Sequence, residues 1–124
     1  MSQLEFNITT QKLTLLNKGS TLGTWNAVSG PHGKGSLPKG RYTVGNPNGN
    51  NLHKGLPAGF NMPSGLGYFV PLYAPNSLLQ GRKGFGIHPD GGTTGTKGCI
   101  GIKYNALDFW NTYLKHRPTR LHVK

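Results

Sequence analysis

Two residues that could do covalent chemistry together stand eleven positions apart, His88 and Cys99, at the ends of the glycine-rich stretch HPDGGTTGTKGC. A thiol attacks carbonyl carbon as its thiolate, and an imidazole within hydrogen-bond reach raises the thiolate fraction by taking the proton. That chemistry is acyl transfer, provided the fold unites the two side chains. Gly98 removes a side chain that would obstruct a substrate, and the backbone N–H groups at and around Cys99 are donors that could face a developing oxyanion. The competing reading is structural, because a lone cysteine between Gly98 and Ile100 also suits a buried strand. As the one cysteine in 124 residues, Cys99 excludes an internal disulfide and a multi-cysteine zinc site. His32, His53, His116 and His122 show no short metal-ligand spacing, so neither a metal nor a cofactor is expected.

The elements that must position this pair are mostly strands. Apolar and polar residues alternate over Leu4–Ile8 and Lys12–Leu16, joined by Thr9, Thr10 and Gln11, which predicts an opening hairpin. A turn at Asn17, Lys18 and Gly19 leads to a strand over Thr21–Ser29, completing a meander. The segment Gly30–Gly40 reads as a loop, Arg41–Val44 as a strand, and Gly45–Gly67 as a long surface excursion of the kind that forms lids or binding loops. Tyr68–Tyr73 is strand-forming, with Pro71 placing it at an edge or a bulge. Phe85–His88 and Cys99–Lys103 are short strands that place the imidazole and the thiol at strand ends, with the turn-rich PDGGTTGTKG between them. One helix follows, with Asn105 as its cap, Asp108 near its positive end, and Ala106, Leu107, Trp110 and Leu114 on one face. Pro118 ends it, and Thr119–Val123 returns as a final strand. The expectation is one mainly β domain over 1–124 with one C-terminal helix.

Composition narrows the function. Against 14 Lys and Arg stand only Glu5, Asp90 and Asp108, a net charge of +11, which points to an anionic partner such as nucleic acid, a lipid surface or bacterial cell wall. Three acidic residues make a two-carboxylate glycosidase a coincidence, so that class is set aside. The beginning of the sequence, MSQLEFNITT, lacks the basic and apolar regions of a signal peptide, and no 18-residue apolar run occurs, so neither Sec export nor membrane insertion is expected. Two non-enzymatic alternatives stand beside acyl transfer. One is a small basic nucleic-acid-binding module, disfavoured because the cations are dispersed and no RNP or zinc-finger pattern occurs. The other is a wall-binding module without catalysis, disfavoured because both His88 and Cys99 are present.

The segment Gly81–Lys103 resembles the active-site motif of YkuD-type L,D-transpeptidases, in which a histidine precedes, across a loop, an S/T-x-G-C segment carrying the nucleophile. Here that segment is Thr96, Lys97, Gly98 and Cys99. Lys97 stands where most YkuD domains have histidine, and the His-to-Cys spacing is shorter. The pattern is more similar to the compact L,D-transpeptidase-like toxins of type VI secretion, G-R-x-x-F-x-I-H-x-D followed by S/T-x-G-C-I. Arg82, Phe85, Ile87, His88, Asp90, Thr96, Gly98, Cys99 and Ile100 match it, while Pro89 replaces a glycine. The resemblance implies a small YkuD-like β-sandwich with His88 as general base, Cys99 as nucleophile and Asp90 as orienting partner for the imidazole. It further implies Arg82 binding a substrate carboxylate, with Thr96 and Gly98 shaping the motif loop. For Asp90 a turn role, and for Arg82 a solvated surface role, stand as equal alternatives. The implied substrates are peptidoglycan stem peptides and the implied activity is L,D-carboxypeptidase or D-amino-acid exchange. The implied setting is a monomeric antibacterial toxin, secreted without a signal peptide, acting in the periplasm of target bacteria and countered by a cognate immunity protein.

Overall fold

Alternating burial along β1 (Ser2–Asn7) and β2 (Lys12–Asn17) turns Leu4, Phe6, Leu13 and Leu15 inward, and the two strands pair antiparallel. These strands belong to a computed structural model that describes residues 2–29, 37–47, 52, 62, 66–79, 85–89 and 99–124. Asn7 closes the first hairpin, its side-chain oxygen accepting hydrogen bonds from the N–H groups of Thr9 and Thr10. The next turn uses Lys18 and Gly19, at φ 51 and φ 82, as a two-residue hairpin loop requires, and leads into β3 (Ser20–Ser29). There follow β4 (Gly40–Val44), β5 (Val70–Tyr73), α1 (Asn76–Leu79), β6 (Gly86–Pro89), β7 (Ile100–Ile102), α2 (Ala106–His116) and β8 (Arg120–Val123).

The strands are ordered β1-β2-β3-β7-β6-β5-β4-β8 and close on themselves as a barrel. Closure is the work of β8, which pairs parallel with β1 and antiparallel with β4. The mainly β class with a C-terminal helix therefore holds, while the expected sandwich is a closed barrel. Eight strands enclose an interior narrow enough for side chains to fill. Ile87, Ile100, Ile102 and Leu121 are at most 1% exposed.

Closure also corrects the reading of Pro71. β5 pairs on both sides, with β4 and with β6, so it is not an edge strand. Pro71 lies one step past the paired end of β4, where its carbonyl accepts from the Gly45 N–H at 2.8 Å and no further strand bond requires its missing donor.

The helix α2 is present, and of its expected face Trp110 is buried and Ala106 and Leu114 pack against the core. Phe109, Trp110 and Tyr113 are buried, whereas Leu107 is 47% exposed. Aromatic stacking sets the phase, since Tyr68 lies on Trp110 with centroids 4.7 Å apart and Trp25 meets Phe109 edge-on at 5.1 Å. Asn105 takes the N-cap position at φ 57 without a side-chain capping bond. Asp108 instead accepts a hydrogen bond from the Trp25 indole at 3.0 Å. Arg117, at φ 46, closes the helix by donating its N–H to the Tyr113 carbonyl, ahead of Pro118. The short α1 has no counterpart in the sequence reading. The expected loops over Gly30–Gly40 and Gly45–Gly67, and the turn-rich stretch after Pro89, fall largely outside the described residues.

Candidate active site

The fold places β6 and β7 side by side and parallel, with Ile87 opposite Ile100, His88 opposite Gly101 and Pro89 opposite Ile102. Side chains alternate along each strand, so the isoleucines fill the barrel and His88 shares the other face with Gly101. Cys99 immediately precedes β7, two residues before the one opposite His88. Neighbouring strands are about 4.8 Å apart, and such diagonal neighbours are within reach of an imidazole. Gly101 contributes no side chain between them. Cys99 is partly buried and packs at the margin of the core.

His88 is 2% exposed, and its Nδ1 lies 2.7 Å from the Pro89 carbonyl oxygen. A carbonyl only accepts, so Nδ1 carries the proton and Nε2 holds the lone pair that can act as a base. Burial disfavours the imidazolium and lowers the His88 pKa to about 4, against a smaller upward effect from the bond to Pro89. At neutral pH the ring is therefore uncharged. A base in this state receives a proton only as an attack proceeds, when the new charge at sulfur and substrate offsets the cost of the buried cation.

On the side away from Cys99, the imidazole is flanked by Phe69. The register pairs Val70 with Ile87, so Phe69, one residue earlier, stands beside His88. The two rings are nearly parallel, at 11° with centroids 6.2 Å apart. The Phe69 ring also lies over Gly86, where an added Cβ would collide with it. Sequence reasoning did not single out Phe69. The alternation in YFVPLY carries the relevant information, because it sends Tyr68 and Phe69 to opposite faces of the strand.

Of the residues expected at the site, the structure places His88 on β6 and Cys99 at the residue immediately before β7, the strand that pairs with β6. Arg82, Asp90, Thr96 and Gly98 lie outside the described residues. Among the described residues, the orienting bond to the imidazole comes from the Pro89 main chain. Among the described residues no three His, Cys, Asp or Glu side chains gather where they could hold a metal ion. A groove of about 200 Å³ lined by Arg41, Arg120, Gln3, Thr43 and His122 lies over β4, β8 and β1, on the barrel wall opposite β6 and β7. It is remote from the His88 and Cys99 pair.

A family model for the L,D-transpeptidase catalytic domain, YkuD, matches residues 2–121. No curated protein sequence matches the chain. Among solved structures, L,D-transpeptidase 1 of Mycobacterium tuberculosis is similar over 99% of this chain and 60% of its own, at 18% identity and a TM-score of 0.62. An L,D-transpeptidase of Stackebrandtia nassauensis is similar over 99% of this chain and 55% of its own, at 14% identity and a TM-score of 0.64. One from Mycobacterium smegmatis is similar over 99% and 58%, at 16% identity and a TM-score of 0.64. The chain thus spans little more than half the length of these structures, and at such identities the likeness is one of fold.

Proposed function

The chain belongs to the YkuD family of L,D-transpeptidase catalytic domains, and from that premise we propose that it is a cysteine acyltransferase acting on the tetrapeptide stems of peptidoglycan. The observation that supports this most directly is the parallel pairing of β6, which carries His88, with β7, which Cys99 immediately precedes. In the proposed cycle Nε2 of His88 takes the thiol proton as Sγ of Cys99 attacks the carbonyl of the L-centre that precedes the terminal D-residue. The C–N bond breaks, the His88 proton passes to the departing amine, and a thioester remains on Cys99 while D-alanine leaves. An acceptor then gives its proton to Nε2 and attacks the thioester, the acyl C–S bond breaks, and the proton passes from Nε2 back to Sγ of Cys99. A free D-amino acid gives exchange, a stem amine gives a crosslink, and water gives L,D-carboxypeptidase cleavage.

The remaining assignments are part of the same proposal. Arg82 forks onto a stem carboxylate, Thr96 and Gly98 shape the loop before the nucleophile, and main-chain N–H groups near Cys99 receive the oxyanion. The Pro89 carbonyl accepts from Nδ1 of His88, and Asp90 is proposed as a further orienting partner for the imidazole. The setting proposed is that of an antibacterial toxin acting in the periplasm of a target cell, with an immunity protein covering the His88 and Cys99 site. A net charge of +11 supports an anionic wall as its site of action.

Incubation with purified muropeptides, followed by mass spectrometry, tests the reading. Wild-type protein is expected to remove or exchange the terminal D-alanine of tetrapeptides, and Cys99→Ala is expected to leave them intact. His88→Ala should slow turnover by about 10²- to 10⁴-fold, the usual contribution of a general base. Tetrapeptides left unchanged by wild-type protein, with and without an added D-amino acid, would refute the proposed substrate.

A further inference from the structure

We propose that Phe69 is a positioning residue for His88, its ring seated in the space that Gly86 leaves open and setting the plane of the imidazole. The hydrogen bond from Nδ1 to the Pro89 carbonyl selects one of two orientations related by a half-turn of the ring. That bond leaves the tilt of the ring less constrained, because hydrogen-bond strength varies slowly with modest angular change. The neighbouring Phe69 ring, nearly parallel at 11° with centroids 6.2 Å apart, is the side chain placed to favour one tilt.

Phe69 is itself fixed from two directions. The preceding residue, Tyr68, is fully buried, donates its hydroxyl to the Ala106 carbonyl at 2.7 Å and stacks on Trp110. The main chain that carries Phe69 is thereby tied to the start of α2. Gly86, two residues before His88 on the same face of β6, supplies the seat for the ring. Any larger residue at 86 would have to displace Phe69, and through it the imidazole. Phe69 and Gly86 therefore form one device with His88, although neither carries a group that reacts.

The test uses the whole protein with ¹⁵N-labelled histidine and the variants Phe69→Ala, Phe69→Leu, Phe69→Tyr, Gly86→Ala and Gly86→Ala with Phe69→Ala. The ring nitrogens of wild-type His88 are expected to show one tautomer, protonated on Nδ1. Phe69→Ala, Phe69→Leu and Gly86→Ala should each move them toward exchange-averaged values, while Phe69→Tyr, which keeps the ring, should not. The double variant should be no more perturbed than either single alanine variant, because both remove the same constraint. The kinetic expectation rests on the acyl-transfer reading: kcat for D-alanine release should fall on the order of 10- to 100-fold with little change in KM. Unchanged His88 signals in Phe69→Leu, a chain that keeps most of the packed volume, would overturn the proposal. So would additive perturbations from Gly86→Ala and Phe69→Ala. Signals that move as expected in a protein inactive on every muropeptide would uphold the positioning role and reject the substrate.

Discussion

At the scale of single residues, His88 combines near-complete burial with a pKa lowered to about 4, and this makes it a weak point in acid. The unfolded chain titrates this ring near 6.5, so between about pH 6.5 and pH 4 the unfolded state binds more protons than the folded one. Stability therefore rises with pH through that window and is lost as pH falls, by about 3 kcal/mol in all for a shift of this size. Urea unfolding of wild type and His88→Asn at pH 7.5 and pH 4 measures the difference. The variant should lack that share of the acid loss, and equal acid losses in the two proteins would contradict the burial of an uncharged ring. The sequence singles out the histidine and the cysteine because their chemistry is tied to residue type. It did not identify the Pro89 carbonyl, since every residue carries one, nor Phe69, whose role depends on which strand lies beside β6.

Among the elements, the tie between β5 and α2 decides how firmly the site is mounted. Tyr68 points into the barrel and its hydroxyl donates to the Ala106 carbonyl, so burial pushes its own ionisation far upward. Tyr68→Phe retains the stack on Trp110 and removes only the hydroxyl, and should cost about 1 kcal/mol, more if the carbonyl is left dry. Tyr73→Phe is the control, because Tyr73 is 59% exposed and should be near neutral. Both changes are read from urea midpoints, and equal midpoints for the two variants would show that the Tyr68 bond contributes nothing. Most strands were legible because each carries its own period-two pattern, as in Lys12–Asn17 and Arg120–Val123. On α2 the apolar Leu107 faces out, while Phe109 is drawn in by the rings of Trp25 and Tyr68, partners that only the tertiary fold provides. The four residues of α1 are too few to carry a helical period.

For the molecule as a whole, the sign and size of the charge were legible, but the closure of the barrel was not. Closure depends on pairing Leu4 with Leu121 and Phe6 with Val123, across almost the full length of the chain, and no local pattern encodes such a register. The same strand contacts β4 from Gly40↔Val123 to Thr43↔Arg120, so four residues join the two ends of an otherwise open sheet. Without β8, both β1 and β4 would present unpaired N–H and C=O groups to water or to other chains. Leu121, 1% exposed, would also leave the core. A chain ending at Thr119 is therefore expected to lose its cooperative urea transition and to associate at micromolar concentration, seen by light scattering. Leu121→Ala, which keeps the pairing and removes only the packed side chain, should remain monomeric and lose about 2–5 kcal/mol. A truncated chain that unfolds cooperatively at the wild-type midpoint would show that the barrel does not need its closing strand, and that the parallel pair carrying His88 and Cys99 is held by the remaining seven alone.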